Sequence, residues 1–202
     1  TCRSSSSVRW CSNNRDKPAS PARRLQRYLL EGSLLVVIVA IFSLAIGSFL
    51  NVLIHRLPKM MEADWRAQCA ELEGAAVAST GRYNLLVPPS HCPQCKTPLR
   101  AVDNIPIASW LALRGKCAHC AARISARYPI VEALTAVLSA IVAWKFGLTW
   151  QTALALAFMW TLIALTFIDA DTTLLPDDLT LPLLWHGLLA NVFGLFVRLR
   201  DA

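Results

Sequence analysis

The stretch LLVVIVAIFSLAIGSFLNVLI, Leu34 to Ile54, runs for 21 residues without a formal charge. At about 1.5 Å of rise per residue, a helix of that length crosses a hydrocarbon core of about 30 Å. Three further runs follow the same rule. Pro129–Leu148 has a short uncharged centre, Ala133 to Trp144, with Glu132 and Lys145 near its ends. Gly147–Ile168 is uncharged over 22 residues, and Leu179–Val197 contains Pro182, His186 and Asn191. The sequence therefore predicts an all-α, multi-pass membrane protein with about four transmembrane helices. Its 202 residues are 55% hydrophobic and 16% charged, against about 25% charged in soluble domains.

Between the first two runs lies a polar segment, 55–128, which holds Cys92-Pro93-Gln94-Cys95 and Cys117-Ala118-His119-Cys120. The pairs are separated by 21 residues, slightly more than the roughly 15–20 usual between paired Cys-x-x-Cys motifs. Four thiolates at this spacing can close a tetrahedral zinc site. A dithiol redox pair would need a βαβ pattern nearby, and none is present. The segment lacks the aromatic and basic platform of a nucleic-acid module, so the net charge of +7 is assigned to topology and anionic lipid headgroups. Cys2, Cys11 and Cys69 fit no pattern.

Four spans put the cysteine loop and the turn 169–178 on one side of the membrane. Lys and Arg number 10 on that side and 10 on the other, of which 7 lie in the N-terminal tail. Without the tail the count is 10 against 3, which places the loop in the cytoplasm, a compartment that also favours thiolates over disulfides. The tail, 1–30, is basic and Ser-rich and reads as disordered. It lacks an initiating Met, and the chain is expected to be a fragment. This reading divides the chain into the tail 1–30, a first transmembrane helix 31–54, the zinc-binding loop domain 55–128, and helices two to four over 129–202.

Three stretches could carry function. At the loop end of the first span, Gly47 and Ser48 allow close helix approach. Asn51 and His55 share a helix face, Arg56 can snorkel, and Pro58 should end the helix. The cysteine loop is the second stretch. The third is Asp169-Ala170-Asp171-Thr172-Thr173-Leu174-Leu175-Pro176-Asp177-Asp178, with four carboxylates and no base. Asp169 abuts the span and is expected at membrane depth, where ionisable groups tend to be functional. Asp171, Asp177 and Asp178 are expected at the headgroups or as caps of the fourth helix. Glu132 and His186 read as packed polar residues.

In this order the three stretches resemble the type IV prepilin peptidases. Gly47–Val52 with Arg56-Leu57-Pro58 is similar to that family's N-terminal signature. Cys92, Cys95, Cys117 and Cys120 match its tetracysteine loop, with Asn104-Ile105-Pro106 and Arg127-Tyr128-Pro129 around it. Asp169-Ala170-Asp171 through Leu175-Pro176-Asp177 resembles the first catalytic aspartate region. The resemblance covers 34–200 and implies an aspartic-type intramembrane peptidase of the bacterial inner membrane. Such an enzyme cuts the leader from prepilins and pseudopilins at the cytoplasmic face, for pilus biogenesis or type II secretion. It then methylates the new N-terminus with S-adenosylmethionine. On this resemblance Asp169 is the first catalytic aspartate. The family's second belongs to a Gly-x-Gly-Asp motif on a later span, and no two glycines here stand two residues apart. The alternative is a non-catalytic membrane protein whose zinc loop docks pilus or secretion assembly partners.

Overall fold

The computed structural model describes residues 21–74, 84–85, 87, 89–92, 94–98 and 105–194, the backbone alone over 21–31. Five helices follow in order: α1 (Pro21–Leu72), α2 (Ala108–Ala112), α3 (Arg127–Phe146), α4 (Trp150–Thr172) and α5 (Asp177–Val192). No strand is present among the described residues beyond two isolated bridges. α1, α3 and α4 contain spans long and apolar enough to cross a membrane, and the protein is a multi-pass helical membrane protein.

The fourth expected span is shorter than the sequence suggests. α5 has 16 residues, with Pro182 inside it and a turn at Phe193–Gly194. At about 24 Å it falls short of a hydrocarbon core; residues 195–197 lie outside the described residues. Residues 1–20 of the expected tail also lie outside them, while the backbone of 21–30 is already helical.

α1 also departs from expectation. Its 52 residues pass through Pro58 instead of stopping there. Proline removes one N–H and crowds the carbonyl four residues back. The Lys-Met-Met-Glu-Ala run after it, however, consists of strong helix formers. An i,i+4 pair, Arg66 to Glu62 at 3.2 Å, lies in the same extension. Residues 55–72 thus project about 27 Å beyond the apolar half.

The bundle is held along a stripe of small and polar residues. A Cβ on Gly47 would stand 2.7 Å from the Glu132 Cα and 3.3 Å from the Thr135 Cβ, so only glycine lets α1 and α3 approach this closely. On α3, Val131, Glu132, Thr135, Ala136, Ser139 and Ala143 are buried at the spacing of one helix face. Thr135 and Ser139 return their hydroxyls to the Val131 and Thr135 carbonyls, each at 2.7 Å. The Ser139 hydroxyl also accepts Trp160 Nε1–H of α4 at 3.0 Å. At the loop end, Leu50, Ile54, Val131, Ile163, Ala164 and Ile168 form one apolar cluster from α1, α3 and α4. Leu34, Val37, Ile38, Ile41 and Phe42 remain exposed on α1, as side chains facing lipid should.

α3 and α4 are separated at Gly147–Thr149, where Gly147 has φ 63° and Thr149 caps α4 by accepting the Thr152 N–H. α5 is tied to α4 by His186, whose Nε2 donates to the Leu154 carbonyl at 3.1 Å. That is the packing role its sequence position suggests.

Replacing Gly47 with Val should lower stability by about 1–3 kcal/mol, the usual range for overpacking a tight contact. Thermal unfolding of the detergent-solubilised protein checks this, and an unchanged transition would mean that α1 and α3 can part at Gly47 without loss.

Candidate functional site

Each cysteine pair sits in a turn of its own, and the two turns are built alike. Cys92 N–H donates to the Thr97 carbonyl at 3.0 Å, and Lys96 N–H to the Cys92 carbonyl at 2.9 Å. Cys117 N–H donates to Ala122 at 2.8 Å, and Ala121 N–H to Cys117 at 3.0 Å. Lys96 and Ala121 occupy the same left-handed position, with φ 56° and 57°. Bridges His91–Pro98 and Lys116–Arg123 flank the turns at the same offsets. The repeated geometry aims both sulfurs of each pair into one space.

All four sulfurs lie within 4.8 Å of one another, and Cys92 Sγ is 3.8 Å from Cys120 Sγ. A tetrahedral ion with metal–sulfur bonds of about 2.3 Å would set its ligands about 3.8 Å apart. Cys92 and Cys117 are buried, Cys95 is half-buried and Cys120 is exposed. The protonation balance suits a cation. Hydrogen bonds from the Thr97 side chain and N–H lower the Cys95 thiol to about 6. Backbone N–H groups of Cys120 and His119 lower Cys117. Cys120 receives the Ala122 N–H, yet local desolvation among the clustered sulfurs and its neighbours Cys95, Cys117 and Cys92 push it up to about 11. Thiolates this close repel one another; a divalent ion would neutralise them. The cluster could therefore hold a metal ion.

The cysteine turns are joined to the bundle through Trp110, Glu132 and Asn51. Between them, α2 packs Trp110 over Gly115, where a Cβ would meet the indole ring at 2.9 Å and φ is 68°. Trp110 Nε1–H donates to the Ile124 carbonyl at 3.3 Å. The backbone N–H of Ile107, which precedes α2, donates to Glu132 Oε2 at 2.7 Å. Ser48 and Asn51 of α1 lie within hydrogen-bonding reach of the same carboxylate. Glu132 is thus a junction between loop, α1 and α3, more than the packed polar residue its position suggests. Asn51 Nδ2–H also donates to the Tyr128 carbonyl at 3.0 Å, and His55 accepts from Lys59 at 2.9 Å.

Arg56 does not snorkel. It is buried, and its guanidinium donates to the Asn84 carbonyl at 2.9 Å and to Leu85 at 3.3 Å. Backbone carbonyls of the loop replace the water that snorkelling would have reached.

The acidic turn stands at the same end of the bundle as the loop. α4 runs on to Thr172, so Asp169 and Asp171 are helical, and Thr173 closes the helix with φ 53° and its N–H on the Asp169 carbonyl. Arg127, the first residue of α3, pairs with Asp171 at 2.6 Å and donates to the Phe167 carbonyl at 3.2 Å. Asp169 itself is exposed on the surface of the helices. Ile168 takes the inward position, and the next helical residue turns about 100° away from it. Pro176 occupies the α5 N-cap, so neither Asp177 nor Asp178 caps that helix; both lie exposed in its first turn, where the helix dipole favours them. A cleft of about 280 Å³ separates this turn from the α1 extension, lined by Met61, Asp64, Trp65, Gln68, Leu174, Leu175, Asp177 and Asp178.

These features define a membrane-embedded helical protein with a four-cysteine cluster on a polar loop that could hold a metal ion and a carboxylate-bearing turn beside it. The chain belongs to the bacterial peptidase A24 family. The profile described as Bacterial Peptidase A24 N-terminal domain matches residues 41–146, and that of the Type IV leader peptidase family matches 156–202. Among curated relatives, a prepilin leader peptidase/N-methyltransferase of Stutzerimonas stutzeri is 52% identical over 168 residues, as is one of Pseudomonas aeruginosa. One of Aeromonas hydrophila is 55% identical over 167 residues. These alignments cover 82–83% of this chain and 58% of each relative. No solved structure gave a significant match.

Cys92→Ser and Cys117→Ser should each lower bound metal from about one ion per chain towards none, because a single missing thiolate opens a closed site. Elemental analysis of the purified protein checks this, and unchanged content would refute four-sulfur ligation. Protons compete with the metal for the sulfurs, so affinity should fall with pH throughout. The fall should steepen below about 6, where Cys95 takes its proton; a chelator titration across pH measures it.

Proposed function

We propose that this chain forms the N-terminal portion of a prepilin leader peptidase of the bacterial inner membrane, with Asp169 as one of two catalytic carboxylates. The observation that carries the reading is the placement of the acidic turn. The Arg127–Asp171 pair brings it against the first turn of α3, at the end where the cysteine loop enters the bundle. The similarity to relatives named prepilin leader peptidase/N-methyltransferase supports the substrate class, extended here to prepilins and pseudopilins.

In this reading the first span occupies 31–54. The unit 55–128 is a cytoplasmic domain that includes the α1 extension, and 129–202 begins the peptidase helices. The metal is zinc, held by Cys92, Cys95, Cys117 and Cys120. It supplies no chemistry to the cut; it cross-links a loop that has little apolar core of its own. Leader cleavage needs a base to take a proton from water and an acid to protonate the leaving amine. Two facing carboxylates do this because they cannot both ionise at short range. Asp169 supplies one, and a second, on a later span, supplies the other. Methylation of the new N-terminus would draw its methyl group from S-adenosylmethionine. Lysines and arginines on the loop side would hold that face against the anionic leaflet.

In the full-length protein, Asp169→Asn should reduce cleavage of a prepilin by at least ~10³-fold, near the upper range for loss of an acid–base group. Methylation of already cleaved pilin should persist. Cleavage at the wild-type rate would remove Asp169 from the catalytic pair.

A further inference from the structure

We propose that Arg127 is a positioning residue for Asp169, through which the cysteine loop sets the geometry of the cleavage centre. The inference deepens the peptidase reading and rests on the role given there to Asp169.

Arg127 makes three contacts to the last turns of α4. Its Nη1 meets Asp171 at 2.6 Å, its Nη2 donates to the Phe167 carbonyl at 3.2 Å, and its guanidinium lies 5.3 Å from the centre of the Phe167 ring. Phe167 and Asp171 stand two residues on either side of Asp169. A planar fork that grips both flanks fixes the rotation and height of the helical turn between them, which an ammonium on a flexible stem does less well. Asp169 is exposed, and among the described residues no hydrogen bond or ion pair holds its carboxylate, so its position depends on the turn that carries it.

The other end of this linkage is the cysteine site. Arg127 follows the last ligand-type cysteine, Cys120, by seven residues, and the chain between them is tied down. Ile124 N–H donates to the Gly115 carbonyl at 2.8 Å, and the Ile124 carbonyl accepts Trp110 Nε1–H. Arg127 N–H donates to Ser125 Oγ at 3.2 Å. A second attachment, Ile107 N–H to Glu132, holds the loop to α3 just over one turn further on. Closing the cysteine turns on an ion therefore fixes where α3 begins, and so where the guanidinium sits.

A displacement of about 1 Å at a reacting group can cost ~10²-fold in rate. In the full-length protein, Arg127→Ala should lower kcat for leader cleavage by about 10–100-fold with KM nearly unchanged, and Arg127→Lys should recover part of the loss. Combining Arg127→Ala with Cys117→Ser should add little to the loss from Arg127→Ala alone, since both would act through one linkage. If Arg127→Ala does not fold, Asp171→Asn, which releases the other partner, provides the same cycle with Cys117→Ser. Independent, multiplying losses, or Arg127→Ala with wild-type kcat, would overturn the inference while leaving the peptidase reading intact, provided that Asp169→Asn is inactive. A wild-type protein that cuts no prepilin, or an active Asp169→Asn variant, would remove the peptidase reading and this inference with it.

Discussion

A bilayer gives helices almost no hydrophobic reason to leave lipid for one another, so contact must come from close fit and internal hydrogen bonds. Gly47 meets that condition, since its position leaves no room for a methyl group above the Glu132 backbone. Opposite and beside it, α3 presents Glu132, Thr135 and Ser139, all buried. The two hydroxyls return their protons to their own helix. The same contact brings Ser48 and Asn51 within reach of the Glu132 carboxylate, so the closest approach of α1 and α3 is also the place where the loop is received.

The loop solves a different problem. It includes little apolar surface to bury, and among its described residues only Cys92 and Cys117 are buried hydrophobic side chains. A segment of that kind is poorly able to offset its ordering entropy with a core. Two matched turns instead converge four sulfurs on one point, where ligation can supply the folding energy directly. Arg56 contributes from the membrane side, taking two loop carbonyls into a buried position on α1. The buried guanidinium and the loop backbone satisfy each other's hydrogen-bonding needs.

Features that depend on one dimension were legible before any coordinates. Three apolar runs lie in helices long enough to cross a membrane because length and polarity alone set the cost of crossing, and the four cysteines met because Cys-x-x-Cys spacing almost dictates a turn. Features that depend on a distant partner were not. Pro58 is a reliable stop signal only when the residues beyond it are poor helix formers, and Lys59-Met60-Met61 are not. Arg56 and Glu132 looked like ordinary interface residues because their partners lie 28 and 25 positions away. A buried Glu in a span is costly enough to signal a role, and that cost was the available clue. Arg127, 44 positions from Asp171, had no local signal beyond its family-like Arg-Tyr-Pro setting. Which way Asp169 faces was not legible either, for a finer reason. Proximity to a span does not state which way a helical residue faces, and Ile168 had the inward register.

The common location of loop and acidic turn follows from parity before any side chain acts. α1 leaves the bilayer where α3 enters it, α4 returns to that same side, and α5 starts there. Any chain with these three spans would place residues 127 and 171 on one face. Parity alone leaves them free to lie anywhere across that face. The Arg127 fork converts shared sidedness into a fixed distance, and it does so where water is partly excluded, the two side chains being 35% and 39% exposed. A pair this exposed contributes little to stability. Two charged hydrogen bonds with defined geometry at a half-exposed site are a better device for orientation than for stability, and orientation is what the catalytic role proposed for Asp169 would require.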